Sequence, residues 1–279
     1  GRELVFNNKT DFPHVIRPMT PSDIKMVCRV DRDAFEAYRR SARQLSRGLR
    51  LRTPENMNAA VRRPYPGVVV EHPEGTIVGY CFTHIWGDLG WLGTLGISPR
   101  RQGFGLGRAV IAAGLDVLAE AGCTTLALET MPENTKNLAL YTGLGLEPRY
   151  LTMVYQGYPR PSAEPRYELW QGGSELRQIG NRMMSGLDLT PAAKWLEDEE
   201  AGRTLVWYRN GEPVACAALR HNARRLQSIQ DYLTVEVAAC VPEAADQWSR
   251  CLADIGAYVK QMGKQGLIFP VNAHQIDLT

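Results

Sequence analysis

Ser98 to Val110 reads SPRRQGFGLGRAV. Gly103, Gly105 and Gly107 stand on alternate positions, with Arg100, Arg101 and Arg108 around them and an apolar run behind. Leu89 to Ile97 (LGWLGTLGI), just before, patterns as a strand with Gly90, Gly93 and Gly96 inside it. Glycines inside a strand mark a bulge or a close backbone approach. After the loop, Val110, Ile111, Leu115 and Leu118 form one apolar helical stripe, which Gly122 stops. A strand, a glycine-rich loop and a helix start make an anion trap. The first helical N–H groups point outward without partners, the dipole adds positive potential, and glycine lets the main chain come close. The dinucleotide fingerprint G-x-G-x-x-G needs a glycine where Arg108 stands, and the surrounding elements lack repeated βαβ units. A Walker loop needs Gly-Lys-Ser/Thr, and this loop has no lysine. Gln102-Gly103-Phe104-Gly105-Leu106-Gly107 matches a third pattern, Q/R-x-x-G-x-G/A, in full.

Working outward, His14 to Met19 reads as a strand, and Thr20-Pro21-Ser22-Asp23 opens a helix that runs through Asp31 to Arg39. Ala42 to Arg62 reads as a second helical stretch broken at Pro54. Gly67 to Glu71 and Thr76 to Ile85 are strands joined by the turn His72-Pro73-Glu74-Gly75. Thr124 to Thr130 is a strand, Glu133 to Gly143 a helix and Tyr150 to Gln156 a last strand.

Leu128 to Arg149, LETMPENTKNLALYTGLGLEPR, supplies a second block. Together with the loop it resembles the GNAT superfamily of N-acetyltransferases, whose strand-to-helix segment runs L-E-V-x-x-x-N…L-Y-x-x-x-G-F. Asn134, Leu140, Tyr141 and Gly145 fall on matching positions. Leu146 replaces the usual aromatic residue and Asn137 a usual alanine. The resemblance covers roughly Val15 to Gln156. It implies an α/β (α+β) GNAT fold, a mixed, mostly antiparallel central sheet flanked by helices, with acetyl-CoA as cosubstrate and no metal. The pyrophosphate would lie on Gln102, Gly103, Phe104, Gly105, Leu106 and Gly107, with Arg108 and its neighbours adding charge-assisted bonds. Leu95, Gly96 and Ile97 would present free backbone to the pantetheine arm, with an oxyanion donor near Leu95. Asn134 would bond the cosubstrate or a water, alongside its ordinary use as a helix cap.

Acyl transfer to an amine then needs a base and an acid. The resemblance places Tyr141 beside the thioester sulfur, where a phenol of pKa about 10 protonates a thiolate while staying neutral itself. The central strand carries no carboxylate, so the base is left to Glu129, His84 or Asp88, with Glu129 preferred. Trp86 and Trp91 flank this edge and are candidates to wall an acceptor pocket. Arg29 to Arg52 holds eight arginines against Asp31, Asp33 and Glu36, which suits either an anionic acceptor or a solvated face. The expected partner is a small-molecule or peptide amine. A non-catalytic acyl-CoA-binding sensor is the alternative.

Gly157 to Arg166 (GYPRPSAEPR) has three prolines and no apolar periodicity, as a linker would. Beyond it the element order starts again: strands Thr204 to Tyr208 and Pro213 to Arg220 around Asn210-Gly211, strand Tyr232 to Cys240, helix Ala244 to Met262 and strand Leu267 to Val271. The expected organisation is thus a catalytic domain at 1–157, a linker at 158–166 and a degenerate, incomplete GNAT-like copy at 167–279, duplicated in tandem. Val241 to Ser249 (VPEAADQWS) has lost the glycines, and Glu243 and Asp246 would repel a phosphate. A helix equivalent to that of Tyr141 and a final strand are not expected after Asn272.

The chain has 279 residues, a formal net charge of +2 and 22% charged residues, an ordinary globular composition with no field that argues for nucleic acid or membrane. No apolar run reaches the roughly 20 residues of a membrane span. The opening GRELVFNNKTDF is polar and does not pattern as a signal peptide. Cys28, Cys81, Cys123, Cys216, Cys240 and Cys251 are scattered without a C-x-x-C pair, so reduced thiols, a cytoplasmic setting and no zinc are expected. A monomer or homodimer is expected.

Overall fold

The computed structural model describes residues 14–41, 57, 61, 65–132, 134–221 and 231–272. The chain divides into two units, Gly1–Glu147 and Pro148–Thr279.

The first unit opens with β1 (Val15–Pro18), antiparallel to β2 (Gly67–Glu71). The Asp23 carboxylate reaches back to the Thr20 N–H at 2.8 Å, and Pro21 starts the turn that leads into α1 (Ile24–Ser41). Arg17 binds Asp23 through two 2.8 Å hydrogen bonds and Glu71 at 2.5 Å, which ties β1, β2 and the start of α1 together. The Arg17 guanidinium holds the Asp23 carboxyl below the usual carboxylate range. β3 (Ile77–Trp86), β4 (Leu89–Ile97), α2 (Leu106–Glu120), β5 (Thr125–Leu128) and α3 (Thr135–Thr142) follow. The sheet order is β1-β2-β3-β4-β5, antiparallel except for the parallel β4–β5 pair. Strand alternation sorts two cores onto its two faces. Tyr80 and Phe82 join Val27 of α1, whereas Cys81 and Leu92 join Ile111 and Leu118 of α2.

The second unit has a six-stranded sheet of order β6-β11-β10-β9-β8-β7, made of β6 (Thr152–Gly157), β7 (Glu168–Leu169), β8 (Gly202–Arg209), β9 (Glu212–Arg220), β10 (Tyr232–Cys240) and β11 (Gly266–Asn272). Asn210 (φ 54°) and Gly211 (φ 83°) form the two-residue turn between β8 and β9, both in the left-handed region such a turn demands. Helix α6 (Trp248–Gln261) packs Ile255 and Val259 against Leu219 and Leu233, while α4 (Glu175–Met183) and α5 (Thr190–Asp198) bring Ile179 and Ala193 into a core with Val206 and Cys216.

Several expectations change. The strand expected at Tyr150 to Gln156 forms, but its hydrogen bonds go to β11 of the second unit, with Gly157 opposite Leu267 and Thr152 opposite Asn272. The division therefore falls at Glu147/Pro148 rather than after residue 157, and the last strand thought missing from the second half is supplied by β6. The proline-rich stretch is held against α6: Ser162 N–H bonds the Ala253 carbonyl at 2.8 Å, and Arg166 N–H bonds Asp254 at 3.0 Å. Helices α4 and α5 were not expected. Their signals were the Leu176 and Ile179 spacing and the Thr190-Pro191 start. The helical stretch expected at Ala42 to Arg62 lies outside the described residues, apart from Met57 and Val61, which are helical.

Asp254 is fully buried, and its oxygens accept from Trp207 Nε1 at 2.9 Å, Arg166 N–H and Arg250 Nε. Asp254→Ala would leave the buried indole N–H without an acceptor, so we expect a loss of about 3 kcal/mol, read as a shift of the urea midpoint. A midpoint equal to that of the unaltered chain would show that the carboxylate carries none of this stability.

Candidate functional site

The loop after β4 is closed by its own groups. Ser98 N–H bonds the Val78 carbonyl at 2.8 Å, Pro99–Arg101 form a single tight turn, and Gln102 Nε2 reaches back to the Ile97 carbonyl at 3.1 Å. Gly103 (φ 86°) and Gly105 (φ 81°) are both left-handed, and a Cβ built on either would meet nothing within 4 Å. The chain therefore needs glycine here for its backbone path, and the space over the loop is open. Gly105 stands at the cap of α2, no side chain caps that terminus, and its first turn carries no acid. The first bond into the helix is Ala109 N–H to the Gly105 carbonyl, which leaves the N–H groups of Leu106, Gly107 and Arg108 facing outward. Arg100 and Arg108 are exposed, whereas Arg101 turns away to His72 Nε2 at 3.2 Å.

Beside the loop, the sheet opens. β4 and β5 pair only from Leu89/Thr125 to Leu92/Leu128, while β4 continues against β3 as far as Ile97/Gly79. Among the described residues, Gly93 to Ile97 therefore have no pairing with β5, and Leu95, Gly96 and Ile97 lie on that edge. A bulge marks the opening: Leu92 faces Thr83 and Leu95 faces Cys81, so Gly93 and Thr94 together oppose Phe82.

Side chains from both faces of the sheet lie along this cleft. On the α2 face, Tyr141 of α3 is 7% exposed among Cys81, Leu92, Leu106 and Leu128. Burial pushes its phenol up, opposed by a hydrogen bond with the Thr130 side chain. Cys81 lies fully buried there, its thiol pushed up to about 12 by burial, which makes it a core residue and no nucleophile. On the α1 face, His84 stacks on Trp86 with ring centroids 6.2 Å apart, and Trp86 lies 5.8 Å from Trp91. All three rings are half-buried. Gly93 lies under the imidazole: a Cβ on Gly93 would come within 2.6 Å of His84 Nε2. The bulge at Gly93 was legible in the sequence; its use as a seat for His84 was not.

The remaining candidates are placed less closely. Glu129 is exposed and lies one residue past β5, where continued alternation puts it on the face of Ala127 and Trp91. Asp88 sits in the β3–β4 turn, its carbonyl accepting from Thr124 and Thr125 N–H. Asn134 caps α3, its side chain accepting from Asn137 N–H at 3.1 Å.

The second unit repeats the opening and lacks the loop. β10 and β11 pair only as far as Thr234/Ile268, and β10 bulges between Val235 and Val237. The segment that follows, Pro242–Gln247, is a tight helical turn, with Glu243 bonded by Arg182 at 2.6 Å and Asp246 by Arg209 at 2.6 and 2.7 Å. These carboxylates are matched by the chain's own arginines. Among the described residues, no group of three His, Cys, Asp or Glu is placed to hold a metal ion, and no helix is long and apolar enough to cross a membrane.

Residues 29–146 match the model of the Acetyltransferase (GNAT) family. A mycothiol acetyltransferase of Kocuria rhizophila is 34% identical over 94 residues, 32% of this chain and 31% of that protein. The chain thus matches about a third of that relative's length. A putative acetyltransferase from Pyrococcus horikoshii superposes over 98% of this chain and 85% of its own, with TM-score 0.64 and 16% identity. A tandem GNAT protein from the clavulanic acid biosynthesis pathway superposes over 95% of this chain and 93% of its own, with TM-score 0.55 and 16% identity. With its splayed parallel pair, bulged central strand and uncapped glycine loop, the chain has the GNAT fold, and residues 29–146 carry the match to that acetyltransferase family.

Proposed function

We propose that the chain is an acetyl-CoA-dependent N-acetyltransferase whose one working site lies in the first unit, between α1, β4, β5 and the start of α2. The observation that carries this reading is the uncapped loop Gln102–Gly107 placed at the end of an unpaired strand edge. The two features fit the two ends of coenzyme A: N–H groups with no acid nearby for a pyrophosphate, and a free strand edge for the amides of a pantetheine arm. Bound there, acetyl-CoA supplies an activated acyl group. The backbone at Leu95 to Ile97 holds the arm in place, and Arg108 adds positive charge at the loop. Tyr141 keeps its proton until the sulfur needs it. The acceptor is a primary amine that enters from the α1 face, past Trp86 and Trp91. The second unit is not expected to bind acyl-CoA, because the segment after β10 has no glycine loop and carries Glu243 and Asp246, which disfavour a phosphate.

Differential scanning fluorimetry with acetyl-CoA, CoA, NAD and ATP tests the donor. A ligand at 100 times its Kd adds about 2.7 kcal/mol, so both CoA forms should raise Tm while NAD and ATP do not. Calorimetry should give one acetyl-CoA per chain, and thiol release should be followed with amino sugars, amino acids, polyamines and peptide N-termini. No shift with either CoA form would refute the donor site. Binding without thiol release from any amine would instead support the acyl-CoA sensor.

A further inference from the structure

The sheet carries an acid on one face of the cleft and an imidazole on the other. We infer that His84 is the catalytic residue that takes the proton from the acceptor amine; this rests on the N-acetyltransferase reading above. The central strand has no carboxylate, and the residue that opens its bulge, Gly93, leaves room for His84 Nε2. That seat puts the imidazole over the backbone two residues before Leu95, at the mouth of the β4–β5 opening. Trp86 stacks on the ring with an interplanar angle of 18°, which limits its rotation. The other candidates are less well held. Asp88 lies four residues further along the chain, about 13 Å at strand spacing. Glu129 is exposed and stands outside the β5 ladder. Among the described residues, Asp31 of α1, which accepts the Tyr80 hydroxyl, and Asp88 in the turn are further carboxylates on or near this face. An imidazole titrates near neutral pH, where a base is both deprotonated and strong enough to act.

In the step assigned here, the amine nitrogen forms a bond to the acyl carbon and His84 Nε2 accepts its N–H proton. As the carbon–sulfur bond breaks, Tyr141 gives its proton to the sulfur. The imidazolium and the phenolate then return to neutral by exchange with water, so the products are an amide and a free thiol. The two faces divide the work, base on the α1 side and acid on the α2 side.

His84→Gln should lower kcat about 10²-fold with the amine found in the screen and flatten the acid limb of the pH–rate profile, while the acetyl-CoA thermal shift is kept. Gly93→Ala, which displaces the ring and leaves it present, should lower kcat with the same thermal shift. Unchanged kcat and an unchanged acid limb in His84→Gln would overturn the assignment and leave the acetyltransferase standing. Proton NMR gives a reading that needs no acceptor. The imidazole Cε1–H signal absent from His84→Gln should move on adding acetyl-CoA. A still His84 signal beside a positive thermal shift would also overturn it. No thermal shift in the unaltered chain would overturn both readings together.

Discussion

Tyr141→Phe is expected to lower kcat by about 10³-fold, within the range for loss of a general acid, while acetyl-CoA binds with unchanged affinity. The substitution removes one oxygen from a ring that is 7% exposed and leaves the packing on Leu92, Leu106 and Leu128 in place. The fold should therefore survive, and the loss should appear in kcat and in kcat/KM alike, the signature of an interaction made only in the transition state. Burial pushes the Tyr141 phenol up, and the thiol it serves has a pKa of roughly 8.5 if it resembles cysteine. The phenol thus stays protonated throughout the neutral range, as the proposed donor to a departing thiolate must. Its own titration should leave no limb in the pH profile across the neutral range. A Phe variant with the kcat of the unaltered chain would show that the departing thiolate is protonated by water.

The loop was legible because its requirements are local. Two left-handed positions and a close backbone approach restrict Gly103 and Gly105 to one residue type, and the apolar stripe of α2 follows directly in sequence. Strand Leu89–Ile97 was legible for the same reason, and so was the Thr20–Asp23 start of α1. What could not be read is where an edge finds its partner. β6 has the pattern of a strand wherever it pairs; its choice of β11 is set by a sheet more than a hundred residues further on. The seat of His84 on Gly93 is hidden in the same way, since it depends on the β3–β4 register, which a bulge shifts between Cys81 and Thr83. Asn134 shows the opposite case: its local role as a cap is visible in both sequence and structure, and any further role rests on the bound cosubstrate.

The same division between local and distant causes explains the second unit. The splay and the bulge are properties of a strand order, and they persist there between β10 and β11. A glycine loop is a property of a few residues, and Pro242–Gln247 holds no glycine. Arg182 and Arg209 pair with Glu243 and Asp246 in that segment, lowering both carboxyls below their ordinary range.

Gly105→Val should abolish the acetyl-CoA thermal shift, and it should do so without unfolding the chain. A side chain at Gly105 meets nothing within 4 Å, so the cost to the free protein comes only from a left-handed φ of 81°, roughly 1–2 kcal/mol. That open space is what the proposed pyrophosphate needs. The valine methyl groups would fill it and turn the loop N–H groups out of line. Losing two charge-assisted bonds at about 1.5–3 kcal/mol each weakens binding at least about 10²-fold. Arg108→Ala should act differently, weakening binding modestly and most at low salt, because its exposed guanidinium contributes charge and no shape. The converse change in the second unit, Glu243→Gly, should leave the stoichiometry at one, since Asp246 and Arg209 would still hold the turn. Calorimetry on the three variants decides the matter. If Gly105→Val binds acetyl-CoA as the unaltered chain does, the loop is a structural turn and the cosubstrate lies elsewhere; if only that variant loses it, the anion site is the backbone of Gln102–Gly107.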